Sequence, residues 1–250
     1  MRRILDYLSR QPYTFEVIVV DDGSTDRTVE RVRAVANGDP RVIVIENPHY
    51  GKGYTVRTGM LAARGAIALF TDADLSTPIE EIERLLPYFD EGYDVVIGSR
   101  EGGGRNQRIG EPFYRHLMGR VFNFIVQFIA VRGIQDTQCG FKAMRREAAQ
   151  DLFPRLRLHD GSTGPIQGSM VTAFDVELLF LALKRGYKIK EVPVEWYYSN
   201  ESKVNPLKDS WRNLRDVLLV RWNDLLGRYD YSDKPASPPS ERQVSNLGEQ

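Results

Sequence analysis

The feature that most constrains this sequence is a unit that repeats along its N-terminal half. In each unit a short apolar segment ends at Asp, Asn, Gly or Ser, and most units continue into a helical pattern. The apolar segments are Phe15–Val20, Val42–Ile45, Ala66–Phe70 and Asp94–Ile97, and the helical patterns include Gly53–Arg64 and Pro78–Glu91. This alternation predicts an α/β fold in which helices cover both faces of a mostly parallel sheet. Ligands of such sheets bind beyond the carboxyl ends of the strands.

Charge and cysteine content exclude several classes of protein. The 250 residues include 34 Lys and Arg against 34 Asp and Glu, so the chain lacks the basic excess of a duplex-binding protein and we expect no nucleic-acid partner. The single cysteine, Cys139, cannot form an intramolecular disulfide or a Cys-rich zinc site. We expect a reducing compartment.

The two ends of the sequence set the expected domain boundaries. No apolar run reaches the length of about 18 residues that a bilayer requires, and the start reaches Asp6 before a signal-peptide core develops, so we expect neither a membrane span nor a signal peptide. The C-terminal residues are rich in Ser, Pro and Glu. We therefore expect one domain over residues 1–228 and a disordered tail over residues 229–250.

Charged side chains follow three of the predicted strands, as Asp21 and Asp22, Asp72 and Asp74, and Ser99 and Arg100. Because these strand ends should meet at one edge of the sheet, we expect the groups to converge. The two carboxylates of Asp72-Ala73-Asp74 suit a hard cation such as Mg²⁺ or Mn²⁺. Taken singly, each group is also compatible with an ordinary solvated turn.

The order of these motifs resembles that of the family 2 glycosyltransferases, which have the Rossmann-like GT-A fold. The matching segments are Val19–Asp26, Gly51–Met60, Asp72–Asp74 and Gly98–Arg100. Asp136–Lys142 resembles the branch that transfers glucose from UDP-glucose to dolichyl phosphate, and more broadly the polyprenyl-phosphate glycosyltransferases. The resemblance extends over about residues 4–227.

The resemblance implies a donor site. Asp21 and Asp22 would contact the base and ribose of the nucleotide, with Lys52 and Arg57 nearby. Asp72 and Asp74 would hold a divalent metal and the donor diphosphate. Mannosyl relatives often carry a metal-binding Gln where this chain has Ser76, which is a weaker ligand.

The resemblance also implies an acceptor site. Arg100, Arg115, Ser202 and Lys203 match positions that grip the acceptor phosphate, and Asp74, Arg100 and Arg115 are the expected catalytic residues. Arginine suits this role because its planar guanidinium binds phosphate oxygens in pairs. The segment Arg100–Arg120 holds five basic and two acidic residues, which favours an anionic acceptor. Surface ion pairs are the alternative for these arginines.

The acceptor decides whether a general base is needed. A phosphate monoester has a second pKa of about 6, so at neutral pH it is already an anionic nucleophile. An alcohol acceptor would need a base, for which Asp175 and Glu177 are the candidates. These carboxylates are equally compatible with orienting arginine side chains or with an exposed helix turn. Cys139 is expected to be a buried, inert thiol.

Two segments indicate contact with a membrane. Val121–Val131 is apolar except for two amides, and a helix predicted near Leu207–Leu226 carries an apolar face made of Trp211, Leu214, Leu218, Trp222 and Leu225. Aromatic residues together with arginines favour a bilayer interface, and packing against the sheet is the alternative. We expect a peripheral protein at the cytoplasmic face of a membrane.

One part of the family pattern is missing. The family opens with an apolar strand ending in Pro-x-Tyr-Asn-Glu, whereas Met1–Leu8 resembles the end of the helix after that strand. Relative to the family the domain is truncated at its N-terminus, so we expect an exposed sheet edge, weak nucleotide affinity and poor solubility. An N-terminally extended chain that behaved identically would contradict this expectation.

The function expected from the resemblance is an inverting, metal-dependent transfer of a hexose, glucose from UDP-glucose, to a polyprenyl phosphate. GDP-mannose as the donor and a non-lipid acceptor are alternatives within the family. Two alternatives lie outside it. One is a haloacid-dehalogenase-type phosphatase, which also uses Asp-x-Asp after an apolar strand, and the other is a degenerate, non-catalytic nucleotide-binding protein.

Overall fold

The apolar, β-branched segments form the strands around which the chain is arranged. The computed structural model describes residues 1–101, 108–109, 120, 124–158, 161, 164–166, 173–198 and 206–231. In it, β1 (Val17–Asp21) pairs in parallel with β2 (Val42–Glu46). A second sheet has the order β3 (Ile67–Thr71), β6 (Phe141–Arg145), β4 (Val95–Ser99), β7 (Ile189–Pro193). Two short strands, β5 (Arg108–Ile109) and β8 (Trp196–Tyr197), form a parallel pair.

Strand β6 breaks the parallel pattern that the sequence predicts. It lies between β3 and β4 and runs antiparallel to both, with Ala143 opposite Leu69 on one side and Val96 on the other. β4 and β7 are parallel, so β3, β4 and β7 point the same way and their carboxyl ends share one edge. The α/β class is confirmed, and the antiparallel strand was not anticipated.

The helices of the structure lie mainly between and after the strands. Their bounds are α1 (Arg2–Leu8), α2 (Thr28–Ala36), α3 (Lys52–Ala62), α4 (Ile82–Leu85), α5 (Pro87–Asp90), α6 (Arg146–Leu152), α7 (Phe174–Lys184) and α8 (Pro206–Leu225). Residues 124–129 are also helical. The predicted helix Pro78–Glu91 is instead a 3₁₀ turn, Ile79–Glu81, followed by α4 and α5. Pro87 begins α5 because it has no backbone N–H to continue α4.

Helix α3 connects the two larger sheets. It packs against both β1 and β3, and it approaches β1 so closely that a Cβ on Gly59 would lie 3.1 Å from Val20 Cγ2. Within the described residues, β1 pairs with β2 alone and β3 pairs with β6 alone. Each of these two strands therefore has one edge without a strand partner in the described part of the chain.

The core extends further toward the C-terminus than the sequence suggests. Helix α7 is buried over its length from Phe174 to Ala182. Tyr229 is 1% exposed, and the Tyr231 hydroxyl donates to the Arg155 carbonyl. The predicted tail boundary at residue 229 is therefore wrong, because residues 229–231 pack on the domain; residues 232–250 lie outside the described part.

Candidate active site

Two aspartates, Asp21 and Asp22, lie at the carboxyl end of β1 and fix the backbone around it. Asp21 accepts a hydrogen bond from the Ser24 amide at 2.8 Å, which fixes the turn after the strand. Asp22 reaches the beginning of α3, where its Oδ1 accepts from the amides of Tyr50 and Gly51 at 2.9 and 3.0 Å. The His49 ring lies beside it, with Nδ1 2.7 Å from Asp22 Oδ2. Asp22 thus fixes the start of α3 against β1.

The first residue of α3 reaches the carboxyl end of β3. Gly51 precedes the helix with φ +90°, a conformation that glycine adopts without the penalty of a side chain. Lys52 follows, and its Nζ lies 2.6 Å from Asp72 Oδ1. Although partial burial opposes it, the charges of Asp72, Asp175 and Asp74 raise the pKa of Lys52 above its ordinary value. The N-terminus of α3 therefore brings the aspartates of β1 and β3 to one site.

Asp72 is seated directly against the backbone of residue 140. A Cβ built on Gly140 would lie 2.0 Å from Asp72 Oδ2, so no larger residue fits there with the carboxylate in place. The Asp72 amide donates to the Gly140 carbonyl at 3.2 Å. Gly140 precedes β6, and the antiparallel strand therefore sets the position of the Asp72 carboxylate.

Asp74 extends from a tight turn into solvent. Its Oδ1 accepts from the Ser76 amide at 2.9 Å, and Leu75 between them has φ +52°. A left-handed conformation is unfavourable for leucine and is characteristic of functional sites. The turn leaves the Asp74 side chain exposed next to the half-buried Asp72.

The donor set of this turn fits a hard divalent cation. Asp72 and Asp74 offer carboxylate oxygens, which Mg²⁺ and Mn²⁺ prefer, and the absence of a side chain at Gly140 leaves room for the Asp72 carboxylate. Among the described residues, no three His, Cys, Asp or Glu side chains converge as a metal cage. A cation here would complete its shell with phosphate oxygens and water, as Mg²⁺ commonly does.

A buried ion pair lies behind the site. Lys142 of β6 is completely buried, and its Nζ donates to Asp175 Oδ1 at 2.7 Å and to the Cys139 carbonyl. The Phe70 ring centroid lies 5.5 Å from the same ammonium. The expectation of an exposed helix turn at Asp175 is wrong, because α7 enters the core at its N-terminal end.

Glu177 performs a structural task. It is fully buried, and its two oxygens accept from the amides of Arg157 and Leu158 at 2.7 and 3.0 Å. The Tyr229 hydroxyl donates to it as well, which raises the pKa of Tyr229 in addition to the effect of burial. Glu177 therefore holds the chain after α6 and the C-terminal end of the domain together.

Arg100, at the end of β4, is held by a buried carboxylate. Its Nε and Nη2 lie 2.7 and 2.8 Å from the oxygens of Asp136, and its amide donates to the same side chain. Asp136 is in turn oriented by Glu191 of β7, which accepts from the Asp136 amide at 2.7 Å. The Trp196 ring lies 5.4 Å from the guanidinium carbon. Arg100 is thus oriented by Asp136 and Trp196.

Of the remaining predicted site residues, Arg57 is the one that lies in the described part of the chain. Arg57 is five residues after Lys52 on α3, about 140° around the helix, so it does not share the face of Lys52. Arg115, Ser202 and Lys203 lie outside the described residues. Cys139 is buried, and burial together with the Asp136 charge raises the pKa of its thiol to about 11. It is the unreactive thiol that the sequence indicated.

Sequence reasoning missed three residues that build this site. His49 lies in a segment that reads as an ordinary turn, two residues before the matching segment that begins at Gly51. Lys142 and Asp136 stand inside the motif that resembles the glucosyl branch, but nothing in the sequence shows that Lys142 is buried or that Asp136 pairs with Arg100. Their partners, Asp175 and Arg100, are 33 and 36 residues away along the chain.

Comparison with known proteins identifies the family of the chain. Residues 1–153 match glycosyl transferase family 2. The chain is 34% identical over 224 residues to the dolichyl-phosphate beta-glucosyltransferase of Dictyostelium discoideum, covering 86% of this chain and 65% of the relative. It is 37% identical over 229 residues to the Drosophila melanogaster protein of that name (87% and 66%). For the Homo sapiens protein the identity is 33% over 245 residues (92% and 72%).

This chain thus spans about two thirds of the length of these relatives. The family match covers β1 to β4, β6 and α6, which carry Asp21, Asp22, Lys52, Asp72 and Asp74. The family match leaves no support for the phosphatase alternative. In such a phosphatase the Asp-x-Asp motif should follow the first strand, whereas in this chain the motif follows β3. The chain belongs to glycosyl transferase family 2.

Proposed function

We propose that this chain transfers glucose from UDP-glucose to a dolichyl or related polyprenyl phosphate. The observation that carries the proposal is the meeting of Asp22, Lys52 and Asp72 at the N-terminus of α3. This meeting connects the carboxyl ends of β1 and β3, at which a nucleotide and its diphosphate would lie. The similarity to dolichyl-phosphate beta-glucosyltransferases covers 86% or more of the chain in three relatives, well beyond the family match, and supports the glucosyl branch.

In this proposal Asp21 and Asp22 hold the nucleoside, and Asp72 and Asp74 hold a Mg²⁺ or Mn²⁺ ion with the donor diphosphate. When bound, the ion would neutralise charge that develops on the departing UDP. Among the described residues Lys52 is the cation paired with Asp72, at 2.6 Å, and in this proposal it faces the same diphosphate. Metal dependence is part of the proposal, as are these residue roles.

The transfer itself needs little proton chemistry. An oxygen of the lipid phosphate forms a bond to C1 of glucose while the bond from C1 to the UDP oxygen breaks, with inversion at C1 and release of UDP. A phosphate monoester is already anionic at neutral pH, so no general base has to remove a proton. The engagement of Asp175 with Lys142 and of Glu177 with backbone amides supports this view, because neither carboxylate is placed as a base. Arg100, fixed by Asp136, would orient the acceptor phosphate.

The test is transfer of labelled sugar into an organic-extractable product. UDP-glucose and GDP-mannose are supplied in parallel with polyprenyl phosphate and Mn²⁺ or Mg²⁺. Asp74→Ala should abolish metal-dependent labelling. Asp90→Ala, which removes an exposed aspartate on the opposite edge of the sheet before β4, should leave it intact. Labelling from GDP-mannose alone would contradict the proposed donor. If folded protein labels the lipid from neither donor, the proposed acceptor is contradicted.

The membrane is the second partner that we propose. The face of α8 predicted to be apolar points outward: Trp211, Trp222 and Leu225 are 71%, 58% and 73% exposed. Its inward face contains the polar residues Asn213, Asp216 and Asn223, all buried. A helix with this arrangement has its apolar face available to an apolar phase outside the protein. The alternative in which this face packs against the sheet is wrong.

Charge favours the surface of an anionic bilayer. Arg215 and Arg221 lie beside the apolar groove that Leu218, Leu219, Trp222 and Leu225 line on α8. Among the acidic side chains of α8 from residue 211 onward, Asp216 is buried and contacts Arg215, and Asp224 pairs with Lys184 and with Arg221. Phe124 and Phe128 are exposed on the helical residues 124–129. Within the described residues no helix is both long and apolar enough to cross a bilayer.

Flotation with liposomes tests this surface. Wild type should float with vesicles that contain anionic lipid, and less with neutral ones. Trp211→Ala/Trp222→Ala should lower the bound fraction about tenfold, since each indole contributes a large apolar area at the interface. Leu183→Ala on α7, an exposed leucine outside α8, is the control and should bind as wild type does. Unchanged flotation of the double variant would contradict the proposed membrane-binding surface. The location at the cytoplasmic side of the membrane remains a prediction from the sequence.

A further inference from the structure

Two lysines neutralise the aspartates around the carboxyl end of β3, and they are held in different ways. Lys142 is completely buried and is fixed by Asp175, the Cys139 carbonyl and the Phe70 ring. The Lys52 side chain is 45% exposed and extends from the first residue of a helix to Asp72, its one ion-pair partner among the described residues, which is itself 38% exposed. Lys142 is therefore a fixed part of the core, whereas Lys52 sits on a flexible stem at the mouth of the site.

The position of Lys52 conflicts with that of a cation on Asp72. A divalent ion held by Asp72 and Asp74 takes a carboxylate oxygen of Asp72, and the Lys52 ammonium lies 2.6 Å from one of those oxygens. Two cations within a few ångströms repel each other strongly in a partly buried site. The Gly140 cradle prevents Asp72 from retreating, because its Oδ2 already lies against residue 140. Lys52 is the group that can move.

We propose that Lys52 is an exchangeable counter-ion, which occupies Asp72 in the absence of metal and transfers to the donor diphosphate when a divalent ion binds Asp72 and Asp74. This inference rests on the proposed function for its metal and its diphosphate donor. It differs from the role that the resemblance implies, in which Lys52 lies near the base and ribose. The physical reason for the exchange is charge balance: the metal neutralises Asp72, and the diphosphate brings new negative charge within reach of the released ammonium.

This exchange gives one substitution two effects of opposite sign. Removing the Lys52 charge removes a competitor, so the metal should bind more tightly without nucleotide. It also removes a cation from the diphosphate, so UDP should bind more weakly once the metal is in place. If Lys52 only contacted the nucleoside, its removal would weaken UDP binding and leave the affinity for the metal unchanged.

The experiment measures Mn²⁺ binding to the full chain by the electron paramagnetic resonance signal of the free ion, with no nucleotide present. Lys52→Gln should bind Mn²⁺ about fivefold more tightly than wild type, the equivalent of an exposed ion pair. In saturating Mn²⁺, calorimetry with UDP should show about tenfold weaker binding to Lys52→Gln, as for loss of a charge-assisted hydrogen bond. Lys52→Arg retains the charge and should remain close to wild type in both measurements.

Lys188→Gln is the matched control. Lys188 is exposed just before β7, at the edge of the sheet opposite Asp72, and its replacement makes the same change in net charge. An unchanged Mn²⁺ affinity in Lys52→Gln, or an equal gain in Lys188→Gln, would overturn the exchange.

The Mn²⁺ measurement involves neither sugar nor lipid, so its outcome is independent of the transfer assay. If Lys52→Gln gains Mn²⁺ affinity but UDP-glucose is not a donor, the proposed donor fails and the counter-ion role stands. If glucose transfer succeeds while Mn²⁺ affinity is unchanged in Lys52→Gln, the counter-ion role fails alone.

Discussion

Arg100 and Asp136 form a two-point ion pair in which the carboxylate is completely buried. Arg100 Nε lies 2.7 Å from Asp136 Oδ2, and Nη2 lies 2.8 Å from Oδ1. Because the guanidinium is planar, two contacts fix both its position and its orientation. The Arg100 side chain keeps 18% exposure, so the fixed group still borders solvent at the end of β4.

Replacing Asp136 by Asn should weaken both the fold and the acceptor site. The variant loses the buried charge that pairs with Arg100, and we expect the free energy of unfolding to fall by about 2–3 kcal/mol. The KM for lipid phosphate should rise more than the KM for UDP-glucose, since Arg100 loses its orientation. Denaturant titration and initial rates measure these effects. Asp39→Asn, which breaks the exposed pair with Arg41, should change neither.

Replacing Gly140 by Ala should displace the Asp72 carboxylate. The added Cβ would lie 2.0 Å from Asp72 Oδ2, so the side chain has to move. A displacement of about 1 Å in such a site lowers activity about a hundredfold, and we expect kcat/KM to fall by that factor while the fold is retained. Gly186→Ala is the control, because its Cβ meets nothing within 4 Å although its φ of +82° strains the backbone. Equal activity losses in the two variants would mean that general destabilisation, and not displacement of Asp72, is responsible.

Replacing Lys142 by Met should destabilise the protein strongly. The change leaves Asp175 buried without its partner, which typically lowers the free energy of unfolding by about 3–5 kcal/mol. The double variant Lys142→Met/Asp175→Leu should recover part of that loss, since no buried charge then remains unpaired. Thermal or denaturant unfolding measures both. A double variant less stable than Lys142→Met would show that Asp175 has other partners of greater weight.

The buried thiol predicts a loss of stability at high pH. Burial, followed by the Asp136 charge, raises the pKa of Cys139 from 9.0 to about 11. The folded state therefore keeps the proton longer than the unfolded state does, and this contribution to stability declines as the pH rises from about 9 to about 11. Over that range wild type should lose up to about 2 kcal/mol more than Cys139→Ala does. Identical pH profiles would contradict the shift, as would alkylation of the native thiol at pH 8.

Strands β1, β2 and β4 are visible in the sequence because each is a dense β-branched run. β6 is different: Phe141–Arg145 contains a lysine and no β-branched residue, and it enters the sheet because Lys142 finds Asp175 and Ala143 fits between β3 and β4. Helix α7 shows the same limit. Its carboxylates indicate exposure, and only partners distant in sequence, such as Tyr229 for Glu177, allow their burial.

The sequence predicts which residues belong to the candidate site better than it predicts the contacts between them. The strand-end rule correctly brings Asp22 and Asp72 to one site, and the resemblance includes Lys52. Sequence order could not show that Lys52 pairs with Asp72, because that contact depends on how α3 lies across two sheets. For α8 the sequence gives the apolar stripe, but whether it faces the core or solvent depends on burial of Asn213 and Asp216 on the other side.

The absence of backbone pairing between β1 and β3 in the described region has a mechanical consequence. Strands that share a ladder keep a fixed separation, whereas these two are related through the side chains of α3 that pack on both. The distance from Asp22 to Asp72 is therefore set by helix packing and by the reach of residues 51 and 52. Small sliding of α3 would change the separation of Asp22 and Asp72 without breaking a single main-chain hydrogen bond of either sheet.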